Sequence, residues 1–103
     1  MEDIQTLIWK NIEIGSITNI RMDMWYIEGV YIPNHTVSSA NFIKLVSKFN
    51  GEKIIKDPSK GTIVVMKDLE SQTNCLVLGL SGIELFLRIA SDDIAEWIIK
   101  AGK

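Results

Sequence analysis

The chain has 103 residues, of which 47% are hydrophobic and 23% charged, and its net charge at neutral pH is −2. This length and composition predict one globular domain, residues 1–103, that is large enough to form a core without metal ions or disulfides. The small negative charge argues against a nucleic-acid-binding protein, which would carry an excess of lysine and arginine. One cysteine excludes a disulfide framework or a multi-cysteine metal site.

The start of the sequence lacks the basic and apolar segments of a secretory signal, and no apolar run approaches the roughly 20 residues of a membrane span. We therefore expect a small soluble protein of the cytoplasm without a membrane partner. The abundance of isoleucine, lysine and asparagine is typical of an AT-rich, bacterial genome.

The N-terminal third is predicted to form strands. Residues 5–10 favour a strand because of their β-branched content, although the apolar spacing also fits a helical face. Apolar and polar residues alternate from 17 to 32, as in a half-buried strand. This stretch is long for one strand, so we expect Glu28-Gly29 to divide it by a bulge or a turn. Pro33 should end it because proline cannot donate a hydrogen bond to a neighbouring strand.

The middle of the chain predicts a helix followed by a hairpin. Ser38 or Ser39 can cap the first turn of the helix, its apolar side chains recur at helical spacing, and an Asn-Gly pair at 50–51 is typical of a helix C-terminus. Residues 52–56 and 62–67 have the apolar cores of two short strands. The intervening Asp-Pro-Ser-Lys-Gly sequence is typical of a turn.

The clearest prediction is a hairpin of two apolar runs, residues 74–80 and 83–89, joined by Ser-Gly. A two-residue turn there sets the register, with Leu80 opposite Ile83. Alternation then places seven aliphatic side chains on one face of the sheet, and this face needs a cover. They are Leu76, Leu78, Leu80, Ile83, Leu85, Leu87 and Ile89. The opposite face is half polar and includes Cys75, which we interpret as a small buried residue.

A last helix is predicted to start at Ser91. The acidic residues that follow suit the positive end of the helix dipole, and Asp93 has capping-box spacing to Glu96. The predicted order is β-β-α-β-β-β-β-α. This order indicates an α+β fold in which an antiparallel sheet of about six strands packs on one face against two helices.

No set of catalytic side chains emerges from the sequence. His35 is the chain's one histidine and lies in a predicted loop, Cys75 lies in a strand, and Asp92-Asp93 are explained by the helix start. None of them has the spacing of a metal site or of a nucleophile beside its base. We therefore expect a protein that is not an enzyme and that binds no metal or cofactor.

The candidate partner-binding residues are Asp23, Trp25, Glu28 and Tyr31, which lie near Gly29. Asp23, Trp25 and Tyr31 share one face if the strand is regular, and exposed aromatic residues beside acids are typical of interface hot spots. The alternative is that Trp25 and Tyr31 pack in the core.

The stretch Asp23-Met24-Trp25-Tyr26-Ile27-Glu28-Gly29-Val30-Tyr31 is followed by a predicted helix, a meander containing Leu85-Phe86-Leu87-Arg88-Ile89, and a short helix with a tryptophan. This arrangement resembles the small bacterial immunity proteins of polymorphic toxin systems. The resemblance implies a compact α+β protein of the cytoplasm that binds a cognate toxin and catalyses no reaction. The chain departs from one common pattern, because inhibitors of nucleases tend to be strongly acidic.

We therefore predict a non-enzymatic protein-interaction module, an immunity or antitoxin-like protein that binds and blocks a cognate partner. A second candidate surface is the segment 38–67, where six lysines against two acids would form a basic edge for an acidic partner. Two alternatives stay open. One is a small-ligand-binding or regulatory domain, and the other is a structural subunit that forms a homodimer through an exposed sheet edge.

Overall fold

Six strands within residues 4–102, the part of the chain that the computed structural model describes, form a closed antiparallel barrel. The strands are β1 (Gln5–Trp9), β2 (Ile12–Asp23), β3 (Tyr26–Pro33), β4 (Ile63–Lys67), β5 (Gln72–Ser81) and β6 (Glu84–Ile89). The helices are α1 (Val37–Val46), α2 (Gly51–Lys56) and α3 (Asp92–Lys100), and a 3₁₀ turn spans Pro58–Lys60. The strands lie in the order β1-β2-β3-β6-β5-β4, and β4 pairs with β1 to close the circle. The predicted α+β class with about six antiparallel strands is confirmed. The sheet closes into a barrel, which was not predicted, and this part of the chain has three helices rather than the predicted two.

The larger core fills the barrel. Its buried side chains come from all six strands and from α1, and they are Leu7, Trp9, Ile14, Ile17, Ile27, Tyr31, Phe42, Val46, Val64, Met66, Cys75, Val77, Leu85 and Leu87. Phe42 of α1 contacts Trp9 and Tyr31, with ring centroids 5.5 and 5.6 Å apart in tilted and edge-on geometries that aromatic pairs favour. α1 therefore contributes Phe42 and Val46 to the interior core of the barrel, and it does not cover the predicted aliphatic face.

A smaller core lies outside the barrel, where α2 and α3 cover β4 and β5. It consists of Ile54, Ile63, Leu76, Leu78, Ala90, Ala95 and Ile98. β5 is thus buried on both faces, because Cys75 and Val77 belong to the interior core whereas Leu76 and Leu78 belong to the outer one. The expectation that both helices cover a single aliphatic face is therefore wrong.

The β5–β6 hairpin differs in register from the prediction. Leu80 pairs with Leu85 rather than Ile83, so the turn falls one residue later than expected. Gly82 has φ +62°, which suits the first central position of a type II′ turn. A register shift after Val77 marks a bulge. Because a bulge adds one residue to one strand, it reverses the alternation of side chains in the first half of β5.

Capping residues set the helix boundaries. Thr36, rather than either predicted serine, caps α1: its hydroxyl accepts from the N–H of Ser39 at 3.1 Å, and the hydroxyl of Ser39 accepts from the N–H of Thr36 at 3.0 Å. Asn50 caps α2 by accepting from the N–H of Lys53 at 3.2 Å. Residues 51–56 therefore form a helix and not the predicted strand.

Two local predictions are confirmed. The strand expected near residues 5–10 is β1, and the last helix begins where expected. Ser91 caps α3, because its hydroxyl accepts from the N–H of Ile94 at 3.3 Å, so Asp93 and Glu96 do not form the capping box. In the described part of the chain no helix has the length and apolar character needed to cross a membrane.

The long strand predicted near the N-terminus turns back at Met24-Trp25 instead of at Glu28-Gly29. Gly29 lies inside β3, where a Cβ atom would come within 2.8 Å of the side chain of Ile17. Glycine at this position thus permits close packing of β3 against β2, and it does not form a turn.

Candidate partner-binding surface

The β2–β3 hairpin ends in a turn with four large apolar side chains in solvent. Asp23 pairs with Tyr26 across the two turn residues. The exposed fractions are 59% for Met22, 80% for Met24, 58% for Trp25 and 41% for Tyr26, and we call these four residues the hairpin tip. Met24 has φ +57°, in the left-handed region that residues other than glycine rarely adopt.

Strand β6 fixes the hairpin tip in place. The N–H of Ile89 donates to the carbonyl oxygen of Trp25 at 2.8 Å. The guanidinium of Arg88 lies 5.8 Å from the ring centroid of Tyr26, within the range of a cation–π contact. The backbone of the tip is therefore held by its neighbour in the barrel, while the side chains of Met24 and Trp25 are exposed to solvent.

An ionic cluster crosses the three strands next to the tip. Arg21 of β2 contacts Glu28 of β3 through Nε at 3.2 Å and Glu84 of β6 through Nη2 at 3.2 Å. Because all three side chains are substantially exposed, each pair contributes less than about 1 kcal/mol to stability. With Asp23 beside them, three carboxylates lie near the guanidinium groups of Arg21 and Arg88, so this part of the surface is weakly acidic.

Two surface grooves meet beside the ionic cluster. One, of about 240 Å³, lies between the tip and β6 and has Met22, Tyr26 and Phe86 in its apolar lining. The other, of about 370 Å³, lies between β5 and α2 and is lined in part by Ile55. Leu78 and Phe86 line both grooves. The two grooves are therefore adjacent and share these two residues, and we call the two together the docking groove.

The four predicted partner-binding residues do not share one surface. Asp23 and Glu28 line the docking groove and Trp25 lies at the hairpin tip. Tyr31 is 3% exposed inside the barrel, and its hydroxyl donates to the carbonyl oxygen of Ile14 at 2.7 Å. Burial raises its pKa to about 12. Tyr31 therefore packs in the core, whereas Trp25 is exposed. The expectation that Asp23, Trp25 and Tyr31 share one face of a strand is wrong.

Sequence reasoning missed Phe86 and Met22 as surface residues of the same site. Phe86 alternates with the charged Glu84 and Arg88 along β6, a pattern that favours a solvent-facing row. Its position next to β3 depends on the barrel order, since Glu28 pairs with Phe86. The alternation along β6 indicated that Phe86 faces solvent. It could not indicate that β3 is the strand beside β6.

The lysine-rich segment does not form a sheet edge. Lys44 lies on α1, Lys53 and Lys56 lie on α2, and Lys60 lies in the 3₁₀ turn, all with exposed side chains. Lys67 is the last residue of β4. The lysines of the predicted basic edge are thus distributed over two helices, a turn and a strand.

The other chemically active side chains are structural or isolated. Cys75 is buried, and burial raises the pKa of its thiol to about 12, so it is a protonated thiol at neutral pH. His35 is exposed in the loop after β3. Within residues 4–102, no group of three histidine, cysteine, aspartate or glutamate side chains could hold a metal ion.

Comparison of the chain with family models, with curated proteins and with solved structures found no match. The functional argument therefore depends on the surface described above.

Proposed function

We propose that this protein is a non-enzymatic interaction module of the immunity or antitoxin kind, which binds and blocks a cognate protein through its hairpin tip. The observation that carries the proposal is the exposure of four large side chains, Met22, Met24, Trp25 and Tyr26, within five consecutive positions. Tryptophan, tyrosine and methionine are enriched in protein interfaces and depleted elsewhere on surfaces. A turn made of methionine and tryptophan, where glycine or asparagine would fit the backbone better, favours a role in binding over a role in folding.

The tip is also preorganised for binding. Its hydrogen bond to Ile89 and the contact between Tyr26 and Arg88 hold the turn before a partner arrives. A rigid surface loses less conformational entropy on association than a flexible loop does. This feature supports tight binding of one cognate partner.

The test compares two exposed tryptophans. Tagged wild-type protein, Trp25→Ala and Trp97→Ala are used to capture proteins from the native host, and mass spectrometry identifies what is retained. Trp97 is 52% exposed on α3, which makes it a matched control for loss of an exposed indole away from the tip. We expect one stoichiometric protein partner that Trp97→Ala retains and Trp25→Ala loses.

Circular dichroism of each variant shows whether the fold is intact, and native mass spectrometry gives the mass of the protein alone. Equal capture by both variants would contradict the proposal. So would a folded wild-type protein that captures nothing and has twice the chain mass, because that outcome would indicate the homodimeric alternative.

A further inference from the structure

We infer that the partner presents a basic amphipathic helix to the docking groove, lying across β2, β3, β6 and β5 towards α2. The inference rests on the proposed function and adds the chemistry of the partner segment. It is argued from the shape, the apolar residues and the charges of the groove.

The shape of the groove suits a short helix. It crosses four neighbouring strands, β2, β3, β6 and β5, before it reaches α2. Three strand spacings correspond to roughly 14 Å, and a helix rises about 1.5 Å per residue. A helix of about three turns would therefore fill the groove from the hairpin tip to α2.

The closed barrel favours a helix over an added strand. Each of its six strands has a hydrogen-bonded neighbour on both sides. A partner strand binds by pairing its backbone with an unpaired edge, and such an edge is removed when a barrel closes. The partner must therefore bind this surface through side chains, as a helix does when it packs in a groove.

Apolar side chains extend along the groove. Met22 and Tyr26 lie at one end, Phe86 and Leu78 lie where the two parts meet, and Ile55 lies at the α2 end. Phe86 is 36% exposed and is the aromatic residue nearest the middle of this surface. Central aromatic residues contribute most to binding at such surfaces.

The charges in the lining of the docking groove favour a basic occupant over an acidic one. The charged residues in its lining are Asp23, Glu28, Glu52 and Arg21. Arg21 and Glu28 pair with each other, so Asp23 and Glu52 are the lining carboxylates that are left to attract a cation. Among the described residues no lysine lines either part, and the exposed Lys53 and Lys56 of α2 lie outside the lining. Lysine or arginine flanking the apolar face of a partner helix would complement these carboxylates.

The test uses two synthetic peptides of 14 residues with the same leucine pattern, one with lysine and one with glutamate at every polar position. Binding of each labelled peptide to the full chain is measured by fluorescence anisotropy, and the contacted residues are mapped by amide chemical shifts. We expect the lysine peptide to bind at least tenfold more tightly, to shift the amides of residues 21–28 and 84–88, and to weaken as salt rises.

Variants locate the contact. Phe86→Ala and Glu52→Lys should each weaken binding of the lysine peptide, the former by about tenfold. Ile99→Ala removes an exposed apolar side chain from a separate groove near the end of α3 and should leave binding unchanged. Circular dichroism verifies that each variant is folded.

Equal binding of the two peptides, no binding of the lysine peptide, or shifts confined to the groove near Ile99 would each overturn the inference. The two proposals fail separately. If capture of the host partner depends on Trp25 while the lysine peptide does not bind, the inference fails and the proposed function stands. If capture does not depend on Trp25, the proposed function fails.

Discussion

The indole N–H of Trp9 donates to the hydroxyl of Thr62 at 2.9 Å, although 53 positions separate the two residues along the chain. Trp9 ends β1 and Thr62 immediately precedes β4. Both side chains are buried. The bond therefore connects the two strands whose pairing closes the barrel, and it satisfies a donor that has no access to water.

Replacing Thr62 with valine tests this bond, since valine has the same shape without the hydroxyl. We expect Thr62→Val to lower the free energy of unfolding by about 1–3 kcal/mol, because the buried indole N–H then lacks an acceptor. Denaturant unfolding measures the loss. Thr62→Ser keeps the hydroxyl and should lose less, and equal stability of Thr62→Val and the wild type would contradict a stabilising role for this bond.

Tyr31→Phe tests whether Tyr31 acts in the core alone. Its hydroxyl donates to the carbonyl oxygen of Ile14, which also accepts from the N–H of Asn34 at 3.2 Å. Because that oxygen keeps one donor, we expect a loss of only about 1 kcal/mol in the free energy of unfolding. Partner capture should be unchanged. A folded Tyr31→Phe protein that loses its partner would contradict the core assignment.

The elements with strong local signals were predictable from the sequence. β6 follows from alternation, α3 from a capping serine and β1 from its β-branched content, and each of these signals depends on a few neighbouring residues. Asn50-Gly51 was ambiguous, because asparagine with glycine can end a helix, whereas the asparagine side chain can also start one. The structure uses the second possibility, which converts a predicted strand into α2.

Closure of the barrel and the composition of the site depend on distant parts of the chain. β1 pairs with β4 through Leu7 and Met66, and no local pattern specifies that pair. Burial of Tyr31 follows from a turn at Met24-Trp25, since moving a turn changes which side chains face the core. The sequence therefore indicated Trp25 correctly as a candidate surface residue but could not separate it from Tyr31.

The thiol of Cys75 predicts a pH dependence. Burial raises its pKa from 9.0 to about 12. Because the pKa is higher in the folded than in the unfolded protein, the contribution of the buried neutral thiol to stability is complete below pH 9 and is lost as the pH rises towards 12. Alkylation by iodoacetamide at pH 8 should therefore be slow and should accelerate with denaturant. Rapid alkylation of the native protein at that pH would contradict this burial.

Met24→Gly separates the folding role of the hairpin turn from its binding role. Met24 is 80% exposed and has a positive φ, which costs a residue with a Cβ about 1–2 kcal/mol. Glycine removes that cost but loses more entropy on folding, so we expect the free energy of unfolding to rise by about 0.5–1 kcal/mol. Partner capture should fall, because an exposed side chain of the hairpin tip is lost.

The matched control for Met24→Gly is Asn11→Gly in the β1–β2 turn, where φ is also positive at +67°. Asn11→Gly should stabilise the fold and leave partner capture unchanged. If Met24→Gly stabilises the protein and binds its partner fully, methionine at this position has no part in the interface.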